Sequence, residues 1–297
     1  MQIIEKRKYF FVISGILVLA SLLIFFTWGL KLGIDFTGGV LLELDLKQNN
    51  VTATDFKEKM SELKLEGLTV QKAANQNNLV VRYISNDDDL NQKVLEKIKE
   101  VYPESVLERQ EFISSVISGE LKSKAFTAIG LAVIGIALYI AWAFRKVSYP
   151  VESWKYGISA VIALVHDIII TVGIFVYLGR FYGLEINLPF IAALLTILGY
   201  SVNDTIVVFD RIRENLLRAG SKDDFEATVN RSINETIARS INTSLTVIFV
   251  LVAMLLFGGE AIFAFSLALL CGVFFGTYSS IFVASALLVD LWKWKRR

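Results

Sequence analysis

A single cysteine and a single histidine in 297 residues remove several function classes before any pattern is read. Cys271 stands inside an apolar run with no second thiol, so an intrachain disulfide is excluded, and so is a metal cluster held through sulfur. With His166 as the lone imidazole, a metalloenzyme is not expected, and neither is any metal or cofactor. An excess of one charge sign is missing too. The 30 Lys and Arg against 29 Asp and Glu leave a formal net charge of +1, and nothing in that balance points to nucleic acid or an anionic surface. There is no Gly-rich phosphate loop of the Walker type, so direct use of ATP is not expected. The chain holds no low-complexity tract and no obvious short repeat.

Apolar sequence is what the chain has in quantity, at 54% of residues. Lys6, Arg7 and Lys8 precede a run from Tyr9 to Leu30. That run is too long for a signal-peptide core and carries no small-x-small cleavage site, so it reads as an uncleaved first span. Segments near 9–30, 125–144, 157–179, 188–209, 241–257 and 261–291 are long enough, or nearly so, to cross a bilayer, which takes about 20 residues each. The organisation expected is a first transmembrane helix (1–30), an extracytoplasmic domain (31–124) and a five-helix bundle (125–297). With six spans, Lys6–Lys8, Arg145, Lys146, Lys155, the arginines from 211 to 231 and Lys293–Arg297 all fall on one side. By the positive-inside rule that side is the cytoplasm, and both termini face it.

Segment 31–124 reads as a small α+β domain. Gly38-Gly39 supplies a sharp, φ-permissive link out of the membrane. VLLELDL (40–46) alternates as a half-buried strand does. A helix is expected from Thr52 to Leu65, with Phe56, Met60 and Leu63 on one face and no capping box at Thr54-x-x-Lys57. Leu68–Ala74 and Leu79–Ile84 read as strands joined by a turn at Asn75–Asn78, Asp87–Val101 as a helix with acids in its first turn, and Ser105–Phe112 as a last strand. The order β-α-β-β-α-β is ferredoxin-like. On the cytoplasmic side, Phe225, Val229, Ile233 and Ile237 recur every four residues, as an amphipathic helix near 222–239 requires.

The fourth span carries the residues of greatest chemical interest. Thr196, Tyr200, Asn203, Asp204 and Arg211 form a polar seam on one side of a helix. Arg239, Asn242, Thr243 and Thr246 form a second seam leading into the fifth span. The spans join on the cytoplasmic side, so the seams are expected to face each other, with Arg239 a candidate counter-charge for Asp204. Asn and Thr seams also serve simply to glue helices together, at about 0.6–2 kcal/mol per contact, and an arginine at a span end also snorkels. A carboxylate is different: inside hydrocarbon it is costly, and glue does not need it. His166 and Asp167 in the third span form a second candidate relay, or a satisfied pair holding helices together. Asp35 reads as a cap or hinge residue rather than a proton site. Asp167 and Asp204 could also be drawn as an intramembrane aspartyl protease. No Gly-x-Gly-Asp precedes the acid, however, since the chain reads Gly199-Tyr200-Ser201-Val202-Asn203-Asp204.

Gly33-Ile34-Asp35-Phe36-Thr37-Gly38-Gly39 resembles the motif found where the first span ends in the SecD/SecF family. The run from Gly199 to Asn215, GYSVNDTIVVFDRIREN, looks like the signature of that family's SecF branch, and Arg239–Thr246, RSINTSLT, is similar to its following span. The departure at Ser240-Ile241-Asn242, where the family often has Thr-x-x, is mild. The resemblance covers essentially the whole chain. It implies an RND-superfamily protein of the bacterial cytoplasmic membrane with six spans and one external domain. It also implies a proton-driven accessory role in protein export rather than an enzyme. Asp204, Arg239 and Asn203 then belong to a proton path completed by SecD. The partners implied are SecD, the SecYEG channel, a translocating preprotein and other inner-membrane insertion factors. Two alternatives remain open: a non-conducting scaffold of the translocon, and an RND-type exporter of small molecules or lipids. The latter usually carries both six-span halves in one chain.

Overall fold

The computed structural model describes residues 1–47, 51–72, 78–145, 151–219 and 224–294. The expected turn at Asn75–Asn78 and the loop at 221–223 fall largely outside them. The chain divides into two compact units. One comprises Met1–Leu30, Thr127–Leu184 and Pro189–Arg297; the other comprises Lys31–Phe126 with the detached piece Glu185–Leu188.

The second unit is the small α+β fold. A short helix α2 (Ile34–Thr37) leads into β1 (Gly39–Asp45), followed by α3 (Ala53–Lys59), a 3-10 turn (Ser61–Leu63), β2 (Glu66–Lys72), β3 (Asn78–Ile84), α4 (Asp88–Val101) and β4 (Val106–Ile113). The sheet order is β2-β3-β1-β4 and every neighbouring pair is antiparallel, as the split β-α-β arrangement of a ferredoxin-like fold requires. Val40, Leu42 and Leu44 of β1 and Val81 and Tyr83 of β3 alternate inward. They pack against Phe56 and Met60 on one side and Val94, Ile98 and Tyr102 on the other. Gly39 has φ +118°, and a Cβ there would stand 2.4 Å from the Tyr83 carbonyl oxygen, so only glycine lets β1 start beside β3.

Helix α3 carries a capping box that starts two residues before Thr54, with Thr52 as its N-cap. The Asp55 N–H donates to Thr52 Oγ1 and the Thr52 N–H donates to Asp55 Oδ2, each at 3.1 Å. Aspartate does here what glutamate or glutamine usually does at that position. The helix is also shorter than Thr52–Leu65: α3 ends at Lys59, with Met60 as its C-cap, and the 3-10 turn that follows is closed by Lys64 in a left-handed conformation with φ 46°.

The first unit is helical. Among the described residues, six helices are long and apolar enough to cross a membrane: α1 (Arg7–Trp28), α5 (Ser115–Ala143), α6 (Ser153–Tyr182), α7 (Leu188–Ala219), α8 (Phe225–Phe257), and a last run made of α9 (Glu260–Ser279), a π turn (Ser280–Ala284) and α10 (Ser285–Trp294). The amphipathic helix expected near 222–239 is not separate from the fifth span. No Gly or Pro interrupts 225–257, so α8 runs unbroken through it. Its Phe225, Val229 and Ile233 are buried in the main helical core. The first unit's chain ends meet on one side of the bundle: Arg7 pairs with Asp290 at 2.8 Å and Glu226 at 3.3 Å, Lys293 pairs with Glu226, and the Met1 ammonium donates to Asn234 Oδ1 at 2.8 Å.

Helix α9 lies very close to α7. A Cβ on Gly272 would stand 2.2 Å from Ile197, and one on Gly276 would stand 3.0 Å from Ser201. Glycines four apart on one helix face are the small-residue device by which membrane helices approach each other. That closeness determines what the buried acids can touch.

Candidate functional site

Among the described residues of the helical unit, two carboxylates are buried, and both reach the junction of α9 with the π turn. Asp167 on α6 is 0% exposed. Its Oδ1 lies 2.9 Å from His166 Nδ1, and its Oδ2 accepts the hydroxyls of Ser201 on α7 (2.6 Å) and Ser279 on α9 (2.8 Å). Asp204 on α7 is 6% exposed, and its Oδ2 accepts the hydroxyl of Ser280 at 2.9 Å. Adjacent serines thus hold two acids on different helices. Backbone spacing widens at this point into a π turn, a feature frequent at functional sites, and Ser285 donates to the Ser280 carbonyl at 3.1 Å.

The polar cluster extends in two directions. His166 is buried and its Nε2 has no hydrogen-bond partner among the described residues; its ring stacks on Tyr278 at 6.3 Å, and the Tyr278 hydroxyl lies 3.2 Å from Ser14 of α1. On the other side, Tyr200 donates to Ser244 of α8 at 3.1 Å, and Ser244 in turn contacts Thr277. Near the ends of α7 and α8, Arg211 bonds Glu235 at 2.6 Å and Glu214 at 2.5 Å, and Asn215 donates to Ser232 and Glu235.

The expected facing seams do not form within the chain. Thr196, Asn203, Arg239, Asn242, Thr243 and Thr246 are all exposed. The three threonine hydroxyls bond back to carbonyls of their own helices. Arg239 has no ion pair, and Asn203 and Asn242 no side-chain partner, among the described residues. The physical reason is angular. Successive residues on a helix are about 100° apart, so Asp204 turns inward while Asn203 does not. On α8 the inward face belongs instead to Ser232, Thr236, Ser240 and Ser244, each four residues on from the last and all buried. Of the residues expected at the site, the fold therefore brings together Asp204, Asp167, His166 and, at the edge, Tyr200. It leaves the others on an outward polar stripe. Hydrocarbon cannot solvate such a stripe, so protein or water must cover it.

Sequence reasoning missed Ser201, Ser279, Ser280 and Ser244. Ser279 and Ser280 are adjacent in the last span, but that span also holds Ser266, Thr277 and Ser285, so the pair does not stand out in the sequence. Asp35 behaves as a cap: its Oδ2 accepts the N–H of Leu188, the first residue of α7, at 2.6 Å. Gly33 lies against the Ile186 carbonyl, and Gly38 and Gly39 both have positive φ.

Comparison with known proteins agrees with this layout. Residues 93–294 match the family model for protein export membrane protein SecD/SecF, C-terminal, and residues 23–49 match the SecD/SecF GG motif. The chain is 40% identical to the protein translocase subunit SecF of Thermobaculum terrenum, over 97% of this chain and 93% of that protein. It is 34% identical to that of Haemophilus influenzae, over 98% and 86%. Among solved structures, the crystal structure of SecDF from Thermus thermophilus, described as a translocon-associated membrane protein, superposes with a TM-score of 0.85 at 33% identity. It covers 99% of this chain, which spans 38% of the longer SecDF chain. A SecDF structure in a super-membrane-facing form gives a TM-score of 0.64 at 31% identity, covering 100% of this chain and 39% of that one. With its motifs, six candidate spans and small α+β unit, the chain belongs to the SecD/SecF family of protein export membrane proteins, as a multi-pass membrane member of the SecF type.

Proposed function

We propose that this chain works with SecD as an accessory subunit of the Sec translocase and couples the proton gradient to protein export through Asp204. The observation that carries this reading is an incomplete site. Asp204 is buried against Ser280, while Asn203 on α7 and Arg239 on α8 are left outward, without side-chain partners among the described residues. A buried charge needs a counter-charge or several donors, whereas a protonated carboxyl does not. A partner helix over the stripe would bring Arg239 and an acid of its own into play, so that Asp204 alternates between a neutral and an ionised form. Moving one charge across about 100 mV yields about 2.3 kcal/mol, so a large mechanical step takes several protons.

The remaining assignments follow from this role. The side holding both chain ends, with Arg7, Arg211, Arg231 and Lys293, is the cytoplasmic one by the positive-inside rule. The unit 31–126 then lies outside, in a bacterial cytoplasmic membrane. SecYEG and the emerging preprotein are the remaining partners, and the role is transport rather than catalysis. His166 and Asp167 are a second place where a proton can reside, since Nε2 is buried with no partner among the described residues.

Asp204→Asn separates this reading from a pure scaffold. The variant is expected to co-purify with SecD as the wild type does, while export in membrane vesicles loses its dependence on the proton gradient. Undiminished gradient-dependent export would leave only the scaffold.

A further inference from the structure

The detached piece Glu185–Leu188 has a consequence beyond the fold. It is the turn between α6 and the Asp204 helix α7, yet it is built into the external unit. Ile186 donates to the Lys31 carbonyl and Gly33 donates to the Ile186 carbonyl, each at 2.8 Å, making a parallel bridge between Leu32 and Ile186. A Cβ on Gly33 would stand 3.2 Å from the Ile186 oxygen, a tight approach to which the turn would have to yield slightly. The Glu185 side chain is 11% exposed and accepts Arg82 Nη1 at 2.6 Å, with Lys31 Nζ at 3.6 Å. Arg82 sits on β3 between the inward-facing Val81 and Tyr83, so it projects from the opposite face of the sheet. Burial pushes the Glu185 carboxyl up, against the pull of Arg82 and Lys31, which marks this as a desolvated pair rather than a solvated surface contact. Finally, Asp35 accepts the Leu188 N–H at 2.6 Å. This satisfies one of the four donors left open at a helix start and puts negative charge where the helix dipole favours it.

We propose that Asp35 and Glu185 are positioning residues that fasten the outer end of α7 to the external unit, so that displacement of the Asp204 helix and of the external unit is shared. The glycine-rich motif after the first span thereby acquires a mechanical role: Gly33 admits the turn, and Asp35 grips the first residue of the helix. From Leu188 to Asp204 is 16 residues, about 24 Å along a continuous helix. A shift at the acid is thus carried by regular helix to a point held by a charged pair, two backbone bonds and a cap. Strands and helices packed this way move as units rather than deform continuously. The inference rests on Asp204 being the driving acid.

The test uses the full chain with its SecD partner in membrane vesicles, with export measured with and without a proton gradient. Asp35→Ala and Glu185→Ala are expected to lose at least tenfold of the gradient-dependent stimulation while SecD co-purification and gradient-independent export stay at wild-type levels. Asp35→Asn, which keeps an accepting oxygen, should recover most of the loss. Arg82→Glu and Glu185→Arg should each fail alone and recover together. Two outcomes overturn the proposal. One is gradient stimulation within twofold of wild type in both alanine variants while Asp204→Asn abolishes it. The other is parallel loss of assembly and all export with no recovery in the Arg82/Glu185 exchange, which identifies a folding role only. If Asp204→Asn itself exports normally, the functional reading falls, whatever the turn does.

Discussion

Two buried acids stand on neighbouring helices and are treated in opposite ways. Asp167 is enclosed completely, with donors from α6, α7 and α9 on its two oxygens. Asp204 has the hydroxyl of Ser280 and, about 100° round its helix, an outward polar stripe that includes Asn203. A satisfied carboxylate deep in a bundle fixes how helices pack; a half-satisfied one is expensive until something else arrives. On the proposed function, the difference separates an acid that belongs to the fold from one that belongs to an assembly. It also explains how a single chain tolerates both within hydrocarbon.

The largest effect should come from breaking the enclosed acid. Asp167→Ala strands His166 Nδ1 and the hydroxyls of Ser201 and Ser279 in a buried space. Removing one partner of a buried charged network costs about 3–5 kcal/mol. Thermal unfolding in detergent should show a large fall in midpoint, with poor recovery of the SecD complex. Asp204→Ala should unfold near the wild-type temperature yet lose gradient-dependent export. Equal destabilisation by the two alanines would erase the distinction.

A second variant should damage both acids together. Ser201 and Asp204 ride on α7 and Ser279 and Ser280 close the α9 segment, so the α7–α9 approach at Gly272 serves both sites. Gly272→Ala places a methyl 2.2 Å from Ile197. Overpacking of this kind costs about 1–3 kcal/mol. Ile197→Ala in the same chain removes the clashing atoms and should restore much of the unfolding midpoint. Failure of that rescue would mean the glycine is needed for something other than close approach.

Much of this architecture was legible in the sequence because the causes are local. Hydrocarbon demands about 20 apolar residues per span, and period-two alternation at 40–46 sits beside helical periodicity in 87–101. These produced the six spans and the β-α-β-β-α-β order. The cost of an intramembrane carboxylate likewise singled out Asp204 and Asp167. What stayed hidden was long-range. Seam spacing shows that residues share a helix face but not which neighbour that face meets. Here small residues at Gly272, Gly276 and Ser240 decide it, and Arg239 turns outward as a result. Serine is unremarkable in a membrane helix, so Ser279 and Ser280 carried no visible weight until the fold set them 2.8 and 2.9 Å from acids. The grip of Asp35 on Leu188 spans 153 positions, and no local pattern reports it.

The smallest effect is also the most discriminating, because it reads the charge on each acid. A hydrogen bond to an ionised group contributes about 1.5–3 kcal/mol, and one between neutral groups about 0.5–1.5 kcal/mol. Ser279→Ala and Ser280→Ala each delete one hydroxyl from one carboxyl. If Asp167 is ionised in its full set of donors while Asp204 is protonated in the isolated chain, Ser279→Ala should cost about 1 kcal/mol more than Ser280→Ala. The comparison is sharpened by repeating Ser280→Ala on an Asp204→Asn background. Asparagine keeps a neutral accepting oxygen, so the cost of losing Ser280 should then be unchanged from that in the wild type. A cost that drops on the asparagine background means Asp204 is already charged without its partner. The outward stripe would then be serving an acid that has no proton to release.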